Sequence, residues 1–217
     1  RMKVVFDWAH VQGFRSAANP VEAVRAALPR KKVKVKNFAA ISWDRTPDLM
    51  RELEKVPGIG TLALRFTILT VLRSGAVRKA TWSQFSEGFE RWIIPAENMK
   101  ADEQHEVPLP YAARQLLKGL HADKPENTDL VFFSPRTQSK MISENTMAKV
   151  LKRFYPDATV HGMRSAYRDW AEIFSGASHE VKEAVLAHSN PNKVESAYLR
   201  TKYLDEREDL MEVWGMW

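Results

Sequence analysis

Apolar positions in this 217-residue chain fall mostly at helical spacing, with one interruption near the middle. In RMKVVFDWAHVQGF (1–14), Val4, Val5, Trp8 and Val11 recur three and four residues apart, which predicts a helix ending near Gly13. PVEAVRAAL (20–28) predicts a second, after the turn at Asn19-Pro20. TPDLMRELEKV (46–56) reads as a capped amphipathic helix, with Thr46 as cap, Pro47 at the first position and Leu49, Leu53 and Val56 inward. GTLALRFTILTVLR (60–73) is strongly apolar and delivers Arg73 at its end. The period then changes. TWSQF (81–85), RWIIPAE (91–97) and HEVPLP (105–110) are rich in β-branched and aromatic residues and predict a small antiparallel sheet, with NMKADEQ looping between the last two. PYAARQLLKGL (110–120), SENTMAKVLKRF (143–154), HGMRSAYRDWAEIF (161–174) and SHEVKEAVLAH (178–188) return to helical spacing. The expected fold is mainly α with a small three-stranded antiparallel sheet.

Two helices before residue 30 are too few to bury a core of their own. Residues 1–36 are therefore read as the tail of a separate domain plus a linker, and 37–217 as the main domain. Charge supports the boundary. The net charge is +6, yet residues 1–40 hold nine Lys and Arg against Asp7 and Glu22, so the remainder is close to neutral. RKKVKVK (30–36) alternates charge with valine after Pro29 and reads as an extended basic strap: either a solvated linker or a contact for a polyanion through Arg30, Lys31, Lys32, Lys34 and Lys36. The chain opens on Arg1, which suits a fragment of something longer.

Composition removes several chemistries. The absence of cysteine excludes disulfides, thiolate metal sites and cysteine nucleophiles, and suits a reducing cytoplasm. No apolar run approaches the roughly 18 residues of a membrane span, and no signal-peptide pattern opens the chain. DEREDLME (205–212) clusters carboxylates as a metal nuclease would, but the acids spread around a helix and read as a solvated face.

Candidate chemistry concentrates in HGMR. His161 and Arg164, three apart, project from one helical face beside the apolar stripe of Tyr167, Ala171 and Phe174. They are either a packed histidine and a salt-bridging arginine or a site at the edge of a buried face. Arg73 ends an apolar helix, and a buried-side arginine needs an anionic partner. In VESAYLRTKYLDER (194–207) two tyrosines stand five residues apart. That separation turns about 140° around a helix, so Tyr198 and Tyr203 cannot share one site.

Taken in order, LTVLRSGAVRKATWSQF, a lysine in a hairpin loop, HGMR, LAHS and AYLR resemble the signature of the tyrosine recombinases, the phage integrases in particular. The resemblance covers residues 39–217, and residues 1–36 look like the end of the core-binding domain and linker that precede it in such proteins. It implies catalytic roles for Arg73, Lys100, His161, Arg164, His188 and Tyr198, with Tyr198 as nucleophile and Tyr203 as a packing residue. Two guanidinium forks would hold the charge that builds on the phosphate, without a metal or any cofactor. Their field and that of the histidines would ease deprotonation of a phenol whose ordinary pKa is near 10. His161 would handle that proton, His188 would donate a hydrogen bond to the phosphate, and Lys100 would protonate the departing 5′-oxygen. Three positions depart from the family pattern: Val71 and Ala187 replace glycines, and Ala76 replaces an acid.

The implied activity is cutting and rejoining DNA through a 3′-phosphotyrosine link, to integrate or excise a mobile element in a bacterial or phage setting. The partners implied are double-stranded DNA attachment sites, accessory DNA-bending proteins and three further copies in a tetramer. A type IB topoisomerase shares the residue set, and a DNA-binding module that has lost catalysis is a third reading. In EDLMEVWGMW (208–217), Leu210, Met211, Val213 and Trp214 form an apolar stripe that needs a groove. The expectation is a tail docked in trans in the tetramer and in cis in the isolated fragment.

Overall fold

The computed structural model describes residues 1–28, 39–137, 140–188 and 203–217. The basic strap and Tyr198 lie outside the described residues. The chain divides into two compact units, Arg1–Asn37 and Phe38–Trp217.

The first unit is a helix pair, α1 (Met2–Val11) and α2 (Pro20–Ala27). Asn19 joins them. Its side-chain oxygen caps α2 by accepting from the Val21 amide at 2.9 Å, and its amide nitrogen donates to Asp7 at 2.7 Å and to the Lys3 carbonyl at 3.0 Å. The predicted apolar face of α1 forms but is not covered within the unit. Val4, Val5, Trp8 and Val11 are 58–78% exposed.

The second unit is built around α4 (Ile59–Thr70), whose Ala63, Leu64, Phe66, Ile68 and Leu69 are all buried. A helix apolar on all sides must lie inside its domain. α3 (Thr46–Glu54) brings in Leu49 and Leu53, as its spacing predicts. Thr46 is not its cap. The helix grows directly out of a 3-10 turn at Trp43–Arg45, so Arg45 takes the capping position and the Thr46 hydroxyl is buried. α4 also stops before Arg73. It ends at Thr70, Val71 turns left-handed at φ 57°, and Arg73 precedes a new short helix, α5 (Ser74–Arg78).

The sheet is smaller than expected. β1 (Arg91–Ile94) pairs antiparallel with β2 (His105–Pro108), Arg91 opposite Pro108 and Ile94 opposite His105. TWSQF is not a third strand. Thr81 and Gln84 form a reciprocal capping box that curls Trp82–Gln84 into a 3-10 turn, and its two ends make only isolated bridges, Thr81 to Leu130 and Phe85 to Trp92. Its aromatic residues serve packing instead: Phe66 contacts Phe85, Trp92 and Phe132 with ring centroids 6.3, 5.5 and 5.5 Å away.

The remaining helices among the described residues are α6 (Tyr111–Ala122), α7 (Asn145–Leu151), α8 (Gly162–Phe174), α9 (His179–Val185) and α10 (Leu204–Met216). α10 lies against α4, α6, α9 and β2. It buries Leu210, Met211 and Trp214 but leaves Val213 about half exposed, and the Trp214 indole donates to the Ile68 carbonyl at 2.9 Å. Trp217 continues the contact, with its ring 5.1 Å from Phe174 and 5.6 Å from Trp43. Phe174 is thus half exposed beside the terminal tryptophan rather than part of the inner stripe, which keeps Tyr167 and Ala171. Two acids of 205–212 fasten this helix, while Asp205, Glu206 and Asp209 stay exposed. Glu208 pairs with Arg91 at 2.6 Å, and Glu212 accepts from the Tyr111 amide at 2.9 Å.

Gly162, at the head of α8, allows a close crossing. A Cβ there would stand 2.2 Å from the Ala39 carbonyl oxygen and 2.8 Å from the Ala40 Cα, both backbone atoms with little freedom to yield. Thr159 pins the same carbonyl through its amide at 2.9 Å and its hydroxyl at 3.0 Å. Gly162→Ala is expected to destabilise the fold by about 1–3 kcal/mol, the usual cost of overpacking. A denaturant titration checks this, and an unchanged midpoint would mean that the 39–40 segment gives way freely.

Candidate functional site

Arg164 lies in the first turn of α8 and is 5% exposed. Burying a guanidinium is costly unless its donors are used. Nη1 donates to the Val71 carbonyl and Nη2 to the Leu186 carbonyl, each at 2.6 Å, while Nη2 also lies 3.0 Å from His188 Nε2. Burial first, and the nearby Arg73 second, push its pKa down to about 10. Among the described residues, no carboxylate comes within 4.0 Å of Arg164 or Arg73.

Both carbonyls come from the ends of helices that stop in the same way. α4 is followed by Val71 at φ 57°, and α9 by Leu186 and then Ala187 at φ 48°. These are the two positions where the resemblance expects glycine. Left-handed backbone suits glycine and strains a β-branched residue, at a cost on the order of 1–3 kcal/mol. The bends expose terminal carbonyls that helix continuation would have consumed. Val71 and Leu186 give theirs to Arg164, and Ala187 accepts from Arg73 Nη1 at 3.4 Å. Two helix C-termini, the negative ends of their dipoles, therefore face the two arginines.

His188 is tied on both sides of its ring. Nδ1 lies 2.7 Å from Glu183 Oε2, and Nε2 faces Arg164. A guanidinium can only donate, so Nε2 accepts and the proton sits on Nδ1, donated to Glu183. The other Glu183 oxygen is ion-paired with Arg168, whose Nη2 lies 3.1 Å from His179 Nδ1. Burial, followed by the charges of Arg164 and Arg73, pushes the His188 pKa down to about 4, so the ring is neutral near pH 7. In this state His188 is an acceptor toward Arg164, whereas the resemblance implies a donor toward phosphate.

His161 stands at the N-cap position of α8, more exposed than Arg164. Its pKa is lowered by partial burial and then by Arg164, Arg73, His188 and Lys100. Lys100, exposed in the turn after β1, acts on His188 too. Arg73, Lys100, His161, Arg164 and His188 thus share one electrostatic neighbourhood, drawn from the α4–α5 turn, the hairpin, the head of α8 and the end of α9. Ala76, in the place of the expected acid, is buried at 5% exposure. Tyr203, at the head of α10 with φ 53°, packs against the core. Sequence reasoning missed Glu183 and Arg168. The signal was present in SHEVKEAVLAH, where Glu183 stands five residues before His188 at the end of one helix.

Such a cluster attracts an oxyanion and offers it fork-shaped donors. Among the described residues, no three His, Asp or Glu side chains gather in metal-binding geometry. No described helix is long and apolar enough to cross a membrane.

Known proteins resemble this chain in sequence and in fold. The integrase of Enterobacteria phage P4 is 30% identical over 99% of this chain, and the prophage integrase IntA of Escherichia coli (strain K12) is 29% identical over 99%. The chain spans about half the length of these relatives, 52% in each case. Among solved structures, a lambda integrase tetramer bound to a Holliday junction superposes with a TM-score of 0.62 at 18% identity, covering 88% of this chain and 57% of that one. The XerA recombinase gives 0.58 at 15% identity, covering 95% and 74%. At those identities the likeness is one of fold, mainly helical with a small antiparallel sheet. The model of the phage integrase family matches residues 41–204, which take in the α4–α5 turn, the hairpin, HGMR and LAHS, and this chain belongs to that family.

Proposed function

We propose that this chain is the catalytic part of a site-specific DNA recombinase that cuts and rejoins DNA through a 3′-phosphotyrosine link. The observation that carries the reading is Arg164, a buried guanidinium held by carbonyls with no carboxylate in reach among the described residues, beside Arg73, His161 and His188. An incoming phosphate supplies the missing anion. In this reading Arg73 and Arg164 hold the nonbridging oxygens, His161 takes the phenolic proton of Tyr198, His188 donates to the phosphate, and Lys100 protonates the departing 5′-oxygen. Neither ATP nor a metal enters the reaction. Incubating the full-length protein with nicked attachment-site DNA tests this directly. A covalent protein–DNA adduct that forms equally well with EDTA is expected. No adduct under any condition, or one that EDTA abolishes, would overturn the reading.

Residues 1–36 fit the end of a core-binding domain with its linker, and the uncovered Val4, Val5, Trp8 and Val11 suit a helix that belongs to a larger core. Arg30, Lys31, Lys32, Lys34 and Lys36 would add phosphate contacts that do not depend on base sequence. The partners are attachment-site DNA and accessory DNA-bending proteins, and the setting is the bacterial cytoplasm. The working assembly is a homo-tetramer on DNA in which α10 and the terminal tryptophans pass to a neighbouring protomer, exchanging the cis contacts of the isolated chain for equivalent ones in trans. Deleting residues 208–217 from the full-length protein is expected to impair assembly on DNA and recombination more than monomer stability. A large fall in Tm with assembly unchanged would make the tail a purely internal helix.

A further inference from the structure

We propose that Glu183 is the positioning residue of this site: its carboxylate holds the His188 proton on Nδ1 and lets the ring take up a second proton, on Nε2, when an anion draws Arg164 away. The inference rests on the function proposed above only in its last step. The first step is geometric. His188 lies between a pure donor, Arg164 Nη2 at 3.0 Å, and a pure acceptor, Glu183 Oε2 at 2.7 Å. That pair of neighbours permits one neutral tautomer.

Glu183 is itself fixed. Arg168, one turn after Arg164 on α8, binds its other oxygen, so the carboxylate cannot swing away from the ring without breaking an ion pair between α8 and α9. The sequence Arg168–Glu183–His188–Arg164 is a continuous polar chain starting and ending on one helix. Its effect on Arg164 is indirect. While Nε2 is bare it occupies one guanidinium donor, and the site is closed on itself.

An anion changes the balance. Arg164 turns donors toward it, and Nε2 then faces a negative group with no proton to offer. A neutral His188 in the Nδ1–H form would repel that anion. An imidazolium would not, and its first proton would still be bound to Glu183. The groups that oppose this second proton are Arg73, Arg164, Arg168 and Lys100, with His161 nearby; Glu183 is the carboxylate in contact with the ring. Position 76, buried in the core at 5% exposure, holds alanine and supplies no charge.

Histidine-selective ¹⁵N spectra of the chain give the test that does not depend on activity. The sequence has six histidines, and His188→Gln identifies the signal. At pH 7 the wild-type ring is expected to carry its proton on Nδ1 with Nε2 bare, and Glu183→Ala is expected to lose this single-tautomer signature. With inorganic phosphate present, Glu183→Gln, which keeps an acceptor but no charge, should titrate His188 about 1 pH unit or more below wild type. If both variants leave tautomer and titration unchanged, Arg164 alone sets the ring and the proposal fails. A circular-dichroism melt separates this from misfolding, with Glu183→Gln as the milder substitution should Glu183→Ala not fold.

Adduct formation on nicked DNA reads the second step. Glu183→Ala is expected to slow it roughly 10-fold or more, as loss of a histidine's orienting partner does at metal sites. Glu183→Gln should recover part of that rate at low pH only, because the ring must now be protonated without the carboxylate. Recovery at every pH would show that charge is irrelevant and would refute the second step. Absence of adduct from the wild type would refute the proposed function while the spectra still judge the role of Glu183.

Discussion

Tyr198→Phe is expected to abolish the covalent protein–DNA adduct while leaving DNA binding largely intact. The change removes one oxygen, and with it the only atom that could form a phosphotyrosyl bond at that position. Binding depends on guanidinium, ammonium and imidazole groups that the substitution does not touch. Tyr203→Phe is the internal comparison. Tyr203 begins α10 in a left-handed conformation and packs against the core, and its hydroxyl has no role in the reaction proposed. Denaturing electrophoresis on labelled nicked DNA reads both variants. An adduct that survives Tyr198→Phe and disappears with Tyr203→Phe would reverse the assignment. One that survives both would show that neither of these tyrosines is the nucleophile.

The helical parts of the fold were legible because each buries one regular face. Leu49 and Leu53 of α3, the apolar circumference of α4 and the Tyr167–Ala171 stripe of α8 all behave as their spacing predicts. Local polar bonding was harder to see. Thr81 and Gln84 look like strand residues beside Trp82 and Phe85, yet their side chains satisfy the backbone of a turn and so remove the third strand. Thr46 looked like a cap because the preceding 3-10 turn leaves no mark on apolar periodicity.

The same division applies to the candidate site. Arg73, Lys100, His161, Arg164 and His188 were found as residue types in order, since the resemblance preserves the order. What holds them was not found. Val71 and Ala187 appeared as departures from glycine, and only backbone angles reveal them as strained bends aiming carbonyls at arginines. Here the left-handed bends are held by side-chain-bearing residues, at a cost in strain. Glu183 and Arg168 read as ordinary charges on helix faces, because a carboxylate bonded to an imidazole looks the same in sequence as one in water.

The second large effect concerns the arginines, Arg164 above all. Arg164→Lys keeps a positive charge but exchanges a planar fork for a single ammonium. In the present structure that fork reaches Val71 O and Leu186 O at once, 2.6 Å from each, and still touches His188. One ammonium cannot span the same acceptors and also grip a phosphate bidentately. Cleavage is therefore expected to slow by about 10²-fold or more, the usual consequence of losing one transition-state donor. Burial adds a pH signature. It already depresses the arginine to about 10, and a lysine starts from a lower ordinary value, so its charged form is lost earlier as pH rises. The variant's residual cleavage should then fall with rising pH in a range where the wild type keeps its arginine charge. Arg73 is less buried and bonds one carbonyl at 3.4 Å, so Arg73→Lys should show the rate loss with a weaker pH dependence. Cleavage near the wild-type rate from Arg164→Lys would mean that Arg164 only ties together the ends of α4 and α9. In that case the loss should appear in Tm instead.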